Sequence, residues 1–279
     1  DATLFKGGVG LELNENDGSN VANNYFVGFE TQVANISSPS EADTLFNNNE
    51  FSDSAVQSAV PFSGDTVNST SLFGSINASD SAASNGDTIE VSAGTYDEDG
   101  TLVVATDNIS VDGAGETGED ATIIENDVTL NSSTSTTLTN ARVNGSITAV
   151  EDSNPDATVT VDSVTLPGSN VTVEQASDVT VQSVTFEDAG TSAVNISTSG
   201  STSVLVEDVT ANNLTAGTGI HVAGVGSSDV TVQNNDLNGN VTATDGPDGI
   251  NVTSINTDDG SDADINNNSV TTIGNGTAI

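Results

Sequence analysis

The chain has no cysteine, no methionine and no tryptophan, and only two of its 279 residues are tyrosine. Without cysteine there are no disulfides, no thiolate metal sites and no cysteine nucleophile, and the redox compartment stays open. Methionine is missing even from the first position, so either a mature chain freed of its leader or a fragment is expected, with export the simpler account. No apolar run reaches the roughly 18 residues that mark a membrane-spanning helix.

Positive charge is scarcer still. Lys6 and Arg142 stand against 41 Asp and Glu, a formal net charge of -39 at pH 7. Nothing basic is available to neutralise phosphate, which excludes nucleic acid and an anionic membrane surface as direct partners. Self-repulsion on this scale opposes compaction in dilute buffer. Molar salt, with a screening length of about 3 Å, removes most of it. The composition resembles that of proteins from extremely halophilic archaea, and the resemblance implies brine as the solvent.

Apolar residues make up 34% and aromatics 4% of the chain, enough for a thin core of small aliphatic side chains and poor for a thick globular one. What is present is a phrase. Asp178-Val-Thr-Val-Gln-Ser-Val-Thr-Phe186 returns as Ser203-Val-Leu-Val-Glu-Asp-Val-Thr-Ala211 and as Asp229-Val-Thr-Val-Gln-Asn-Asn-Asp-Leu237. Each copy alternates aliphatic with polar residues, the period of a strand with one face buried, and ends in small polar residues. Looser copies align Val111, Leu138, Val161, Val181, Val206, Val232 and Ile265, about 20 to 33 residues apart, within the range of solenoid repeats. A second strand follows in the later copies, at Ala193–Ile196, Gly219–Val222 and Gly249–Val252, so each repeat holds at least two. Several short strands per repeat, no helical period, and Gly, Asn and Asp at the bends predict a parallel β-solenoid. An antiparallel sandwich would not explain why the copies resemble each other, and disordered segments lack such phrases.

Residues 1–83 do not show the repeat and predict a separate β-rich N-terminal domain, ending in a polar linker at 63–83. Within it Thr3–Leu13 and Tyr25–Ile36 read as strands, and the phenylalanines between Phe26 and Phe73 predict aromatic packing. Residues 84–279 form the repetitive body. Its opening, Gly86-Asp-Thr-Ile89, Gly94-Thr-Tyr96 and Val111-Asp-Gly-Ala-Gly115, resembles that of the pectate-lyase-like right-handed parallel β-helix superfamily, where these serve as strand, turn and corner. The resemblance implies an all-β fold, a right-handed parallel β-helix preceded by the small N-terminal domain; fold alone does not fix activity.

The superfamily's chemistry is not carried over. Its lyases pair calcium with a basic side chain, but the body offers only Arg142, read as an outward charge at a turn with no carboxylate cluster near it in sequence. Its hydrolases use an Asn-Thr-Asp segment before a Gly-His-Gly, whereas here His221 precedes Asn256-Thr-Asp258 and the basic pair is missing. His221 reads as a solvent-facing strand residue, and Gly113-Ala-Gly115 as a corner, because it opens no helix. No catalytic residue is assigned.

Oxygen ligands beside flexible glycine suit calcium, which makes Asp258, Asp259, Asp262 and Asp264 the candidate metal residues. Glycan acceptor triplets, Asn-Xaa-Ser/Thr, occur at Asn35, Asn68, Asn77, Asn108, Asn131, Asn144, Asn170, Asn195, Asn213, Asn240, Asn251 and Asn275. A further triplet at Asn267 aligns with Asn234 and is expected to stay bare, in a buried amide ladder.

Together these residues resemble a haloarchaeal secreted surface glycoprotein. The expected role is a structural one at the extracellular cell surface, as a subunit of an S-layer, filament or adhesin that assembles head to tail. Competing expectations are a polysaccharide lyase or hydrolase, or a carbohydrate-binding module, on the same scaffold. Residues 1–13, acid-poor from Thr3 to Leu11 and carrying Lys6, are the expected assembly strand, adding to an exposed edge of the next subunit.

Overall fold

The computed structural model describes residues 9–12, 21–27, 31–36, 49–52, 59–62, 70–73, 76–91, 93–98, 100–118, 121–131, 133–150, 157–174, 176–190, 192–199, 202–215, 217–225, 228–239, 248–253 and 263–271. Alternating valine and threonine does there what a period of two dictates: β-branched aliphatics point inward, and hydroxyls and carboxylates point outward. The described residues are all-β except for one short helix.

Six strands come first, β1 (Val9–Glu12), β2 (Tyr25–Val27), β3 (Thr31–Ile36), β4 (Glu50–Ser52), β5 (Ala59–Phe62) and β6 (Thr70–Phe73), then the helix α1 (Ile76–Ala82). The chain then makes repeated passes. The first comprises β7 (Thr88–Val91), β8 (Gly94–Tyr96) and β9 (Leu102–Val104), and the second β10 (Ile109–Gly113), β11 (Thr122–Ile124) and β12 (Val128–Leu130). In the next two, one bent strand covers the first two positions: β13 (Ser135–Val143) with β14 (Ile147–Val150), and β15 (Thr158–Leu166) with β16 (Val171–Glu174). There follow β17 (Asp178–Gln182), β18 (Thr185–Phe186) and β19 (Val194–Ser199), then β20 (Thr202–Glu207), β21 (Thr210–Leu214) and β22 (Thr218–Val225). The last are β23 (Ser228–Gln233), β24 (Asp236–Gly239) and β25 (Asp248–Thr253), then β26 (Ala263–Asn266) and β27 (Ser269–Thr271).

Each strand pairs in parallel with its counterpart in the neighbouring passes, which generates three ladders. The first runs β7, β10, the start of β13, the start of β15, β17, β20, β23, β26. The second runs β8, β11, the ends of β13 and β15, β18, β21, β24, β27. The third runs β9, β12, β14, β16, β19, β22, β25.

Val111, Leu138, Val161, Val181, Val206, Val232 and Ile265, aligned by sequence alone, are successive register partners in the first ladder, and Ile89 precedes them. Each residue from Ile89 to Val232 in this row is at most 1% exposed. On the third ladder, Val194, Ile220 and Ile250 form an equivalent row. Full burial of such a side chain is worth about 1.5–3 kcal/mol, so repeating one row sets both the stability and the register of every pass.

The phrase expected to be one strand is two. Between the first and second ladders the chain bends at a residue with positive φ in pass after pass: Asn140 (53°), Ser163 (53°), Ser183 (52°), Asp208 (52°), Asn234 (57°) and Asn267 (52°). Asn and Asp tolerate this left-handed conformation, whereas serine there is strained. Gly94-Thr-Tyr96, expected as a turn, is the strand β8, with the Tyr96 ring fully buried. Close approach explains Gly113: a Cβ there would lie 2.2 Å from the Asn140 carbonyl oxygen.

At the N-terminal end, β5 pairs antiparallel with β7, β6 with β5 and β3, and β1 runs parallel to β3. Of the region expected as an N-terminal domain, these strands join the same sheet as the first ladder, and β2 and β4 form a separate parallel pair in which Phe26 and Phe51 are register partners. The expected polar linker contains β6 and α1. The helix packs against β5, β6, β7 and β9, with Ile76 and Ser79 fully buried. Two buried carboxylates fasten it. Glu98 accepts a hydrogen bond from the Ile76 N–H (2.7 Å), and Asp80 accepts from Ala105 (3.0 Å) and Thr106 (3.2 Å).

Candidate functional site

The outward surface of the second ladder holds the one ion pair found among the described residues. Arg142 lies within β13, not at a turn, between register partners Ile123 and Thr165. Alternation turns it outward, because Ala141 and Val143 on either side are buried. Its guanidinium donates to both carboxylate oxygens of Glu187, Nη1 to Oε1 at 3.1 Å and Nη2 to Oε2 at 2.7 Å. A planar fork matched to a carboxylate is the geometry for which arginine is suited.

Hydrogen bonding to Glu187, followed by the opposing cost of partial burial and the attraction of Glu187 and Glu125, raises the Arg142 pKa. The same bond holds the Glu187 carboxyl below the usual carboxylate range. Around the pair, Glu125 accepts from Asn144 Nδ2 (2.7 Å), and Glu116 accepts from the Thr165 hydroxyl (2.8 Å). Chemically the arrangement is a brace across passes. An arginine held in this way has no lone pair with which to take a proton, and its donors are turned to Glu187. The partner went unseen in the sequence because it lies 45 residues away. The second-ladder register would have found it: Arg142 pairs with Thr165, Thr165 with Thr185, and Glu187 is the next outward position along.

His221 stands on the third ladder between Asn195 and Asn251, half-buried by these neighbours. Of the candidate calcium residues, Asp258, Asp259 and Asp262 lie outside the described residues. Asp264 is exposed on β26 and accepts from Asn266 Nδ2 at 2.8 Å. Among the described residues, no group of three or more His, Cys, Asp or Glu is placed to hold a metal ion.

Among the acceptor triplets, Asn68, Asn240 and Asn275 lie outside the described residues, and Asn35 is on β3. Asn77 sits on α1, its Oδ1 accepting from the Val103 N–H. Asn267 meets Asn234 as the repeat predicts, Nδ2 donating to the Asn234 Oδ1, but at an exposed bend. The buried amide pair lies one residue on. Asn235, 1% exposed, donates to Asn268 Oδ1 (2.9 Å) and accepts from the Val209 N–H (2.8 Å), in the inward row after the bend.

Along the bends, carboxylates tie one pass to the next. Asp112 accepts from Thr139 Oγ1 (2.8 Å) and Asn140 Nδ2 (2.7 Å), and Glu207 accepts from Gln233 Nε2 (2.7 Å) and Asn234 Nδ2 (3.1 Å). Outward acids here thus receive amide and hydroxyl donors where lysine is missing. No helix among the described residues is long and apolar enough to cross a membrane. No protein-family model, curated protein or solved structure matches the chain.

Proposed function

We propose that this chain is the right-handed parallel β-helix of an exported surface glycoprotein from a halophilic archaeon, a structural subunit of an S-layer, filament or adhesin that assembles head to tail. The observation that carries the reading is the inequality of the two ends of the ladders. Among the described residues β5 pairs with β7 and α1 packs against β7 and β9 in the first pass, whereas β8 there, like β25, β26 and β27, pairs on one side alone. An open strand edge recruits another strand. A contact between unlike ends builds an open filament unless its rotation closes.

The proposal for the first strand changes with the structure. Of the expected assembly strand, residues 1–8 and 13 lie outside the described residues, and Val9–Glu12 pairs with β3 in its own chain. A carbohydrate-binding module would need exposed aromatics, and of the two tyrosines Tyr96 is fully buried. Electron microscopy and sedimentation of the chain in molar salt test the assembly. Regular end-to-end polymers are expected; a strictly monomeric chain at every concentration, or turnover of an acidic polysaccharide, would overturn the reading.

A further inference from the structure

The three ladders share one interior chemistry and differ outside. Strands of the first ladder carry outward Glu90, Asp112, Asp162, Asp178, Glu207 and Asp229. The only acids in third-ladder strands are Glu174 and Asp248. There the outward row reads Val103, Thr129, Thr148, Thr172, then Asn195, His221 and Asn251, as successive partners. Both large hydrophobic side chains exposed among the described residues, Val103 at 39% and Val150 at 37%, stand on this ladder. In a chain kept apart by carboxylates, this face has far less charge than the first-ladder face to hold water or repel a copy.

The face is not merely neutral. Asp178-Val-Thr180 and Asp229-Val-Thr231 on the first ladder correspond on the third to Asn170-Val-Thr172, at the entry to β16, with Asn195-Ile-Ser197 and Asn251-Val-Thr253. The same strand phrase opens with Asp on one face and with Asn on the other, and the exchange turns it into a glycan acceptor. Period two places the first and third residues outward together, and Asn170 Nδ2 lies 3.5 Å from Thr172 Oγ1. Asn108, Asn131 and Asn144 extend the acceptors to the bends flanking the third ladder, and Asn213, exposed on β21, is an acceptor on the second. At the bend between the first and second ladders, Asn140 and Asn234 are not in triplets, and the amide nitrogen of Asn267, which is, bonds to Asn234.

We propose that the third-ladder face is the carbohydrate-bearing face, with Asn170, Asn195 and Asn251 as its modified side chains and the first-ladder face left bare. In the modification the Asn Nδ2 displaces a phosphate or diphosphate from the anomeric carbon of an activated sugar. The carbon–oxygen bond breaks, the carbon–nitrogen bond forms, and the amide gives up one proton. Sugar hydroxyls then solvate the surface that carboxylates leave uncovered. This rests on the exported-glycoprotein reading.

Glycopeptide mass spectrometry of the full chain from its native source is the test. Sugar on Asn170, Asn195 and Asn251 with Asn267 bare is the expected result. Sugar on Asn267, or on other acceptors with these three bare, overturns the one-face proposal and leaves the glycoprotein reading standing. A chain with no sugar at any site overturns both. Replacing the three together, Asn170→Gln, Asn195→Gln and Asn251→Gln, keeps an amide at each position. Expressed in the same host, that variant should associate side by side at a concentration at least ~10-fold below the unaltered chain, about 1.4 kcal/mol in association free energy. Unchanged sedimentation would overturn the solvating role. A third face that is bare in the native chain and already buried between copies would identify it as a protein interface instead.

Discussion

At the end covered by α1 the fastenings are single and polar, while along the ladders they are repeated and apolar. Asp80 and Glu98 each join the helix to the first pass through particular backbone groups, and neither has a counterpart further along. The row from Ile89 to Val232 does the opposite, gaining a little from each pass and depending on no one residue. Repeating arrays behave as sums of neighbour terms. An end has neighbours on one side only, so it must replace the missing pass with specific partners for its exposed polar and apolar groups. Damage should therefore stay local in the body and be concentrated at the cap.

The largest expected exception tests that statement inside the body. Gly145 packs so closely on the preceding pass that a Cβ would lie 2.4 Å from the Asn126 carbonyl carbon and the Asp127 nitrogen. Backbone cannot yield as a side chain can. Gly145→Ala should cost about 3 kcal/mol or more, at the upper end of overpacking effects, seen as a lower thermal midpoint in molar salt. A midpoint within one degree or so of the parent's would mean that the passes slide apart more easily than close packing allows.

Next comes the cap. Asp80→Ala leaves the Ala105 and Thr106 N–H groups without their carboxylate, and the loss of buried partners costs about 1–3 kcal/mol. Hydrogen exchange should show α1 and β9 opening first, with β22 to β24 unchanged. Uniform loss of protection through all three ladders would erase the distinction between cap and body.

How much could be read in advance follows the same division. Register of the first ladder was legible because each pass repeats the aliphatic pair that faces inward, so aligning Val111 with Ile265 needed no structure. The second ladder was hidden inside the phrase. Between Val181 and Val184, or Val206 and Val209, the inward spacing is three instead of two, and that slip marks the positive-φ bend at Ser183 and Asp208. The helix escaped notice for a different reason: Ile76–Ala82 spans 7 residues, too few to show a helical period, and its one large apolar anchor sits among Ser, Asn and Asp. Its fastenings at Asp80 and Glu98 are tertiary, and Arg142 met Glu187 only when three parallel passes brought them together.

The bends offer a smaller, opposite-signed test within the body. Ser183 holds φ at 52° with an exposed side chain, a conformation that disfavours an L-residue by about 1–2 kcal/mol. Glycine relieves that strain but adds freedom to the unfolded chain, so Ser183→Gly should gain a net of about 0.5 kcal/mol. The same change at Asp208 should gain less, since Asp tolerates the conformation better than serine. Equal gains would show that the bend residue is chosen for its side-chain bonds and not for its backbone.

Comparably small, and the one body contact that resembles a cap fastening, is Arg142–Glu187. Bonding to Arg142 lowers the Glu187 pKa, so the folded chain holds this carboxylate ionised more firmly than the unfolded chain does. The stabilisation is fully present above the ordinary glutamate value of about 4.3. It is lost as pH falls from there through Glu187's own lower value. Arg142 adds nothing measurable to this slope, since its raised pKa is lost only in strong base. With the side chains 23% and 48% exposed, solvent and salt screen the pair, and about 0.2–1 kcal/mol is the expected contribution at neutral pH. The readout is a difference: the stability of the parent minus that of Glu187→Gln, followed against pH in molar salt. That difference should shrink to zero on the acid side and should vanish at every pH in an Arg142→Gln background. A difference that persists in the Arg142→Gln chain would assign the effect to Glu187 alone and leave the brace across passes without an energetic role.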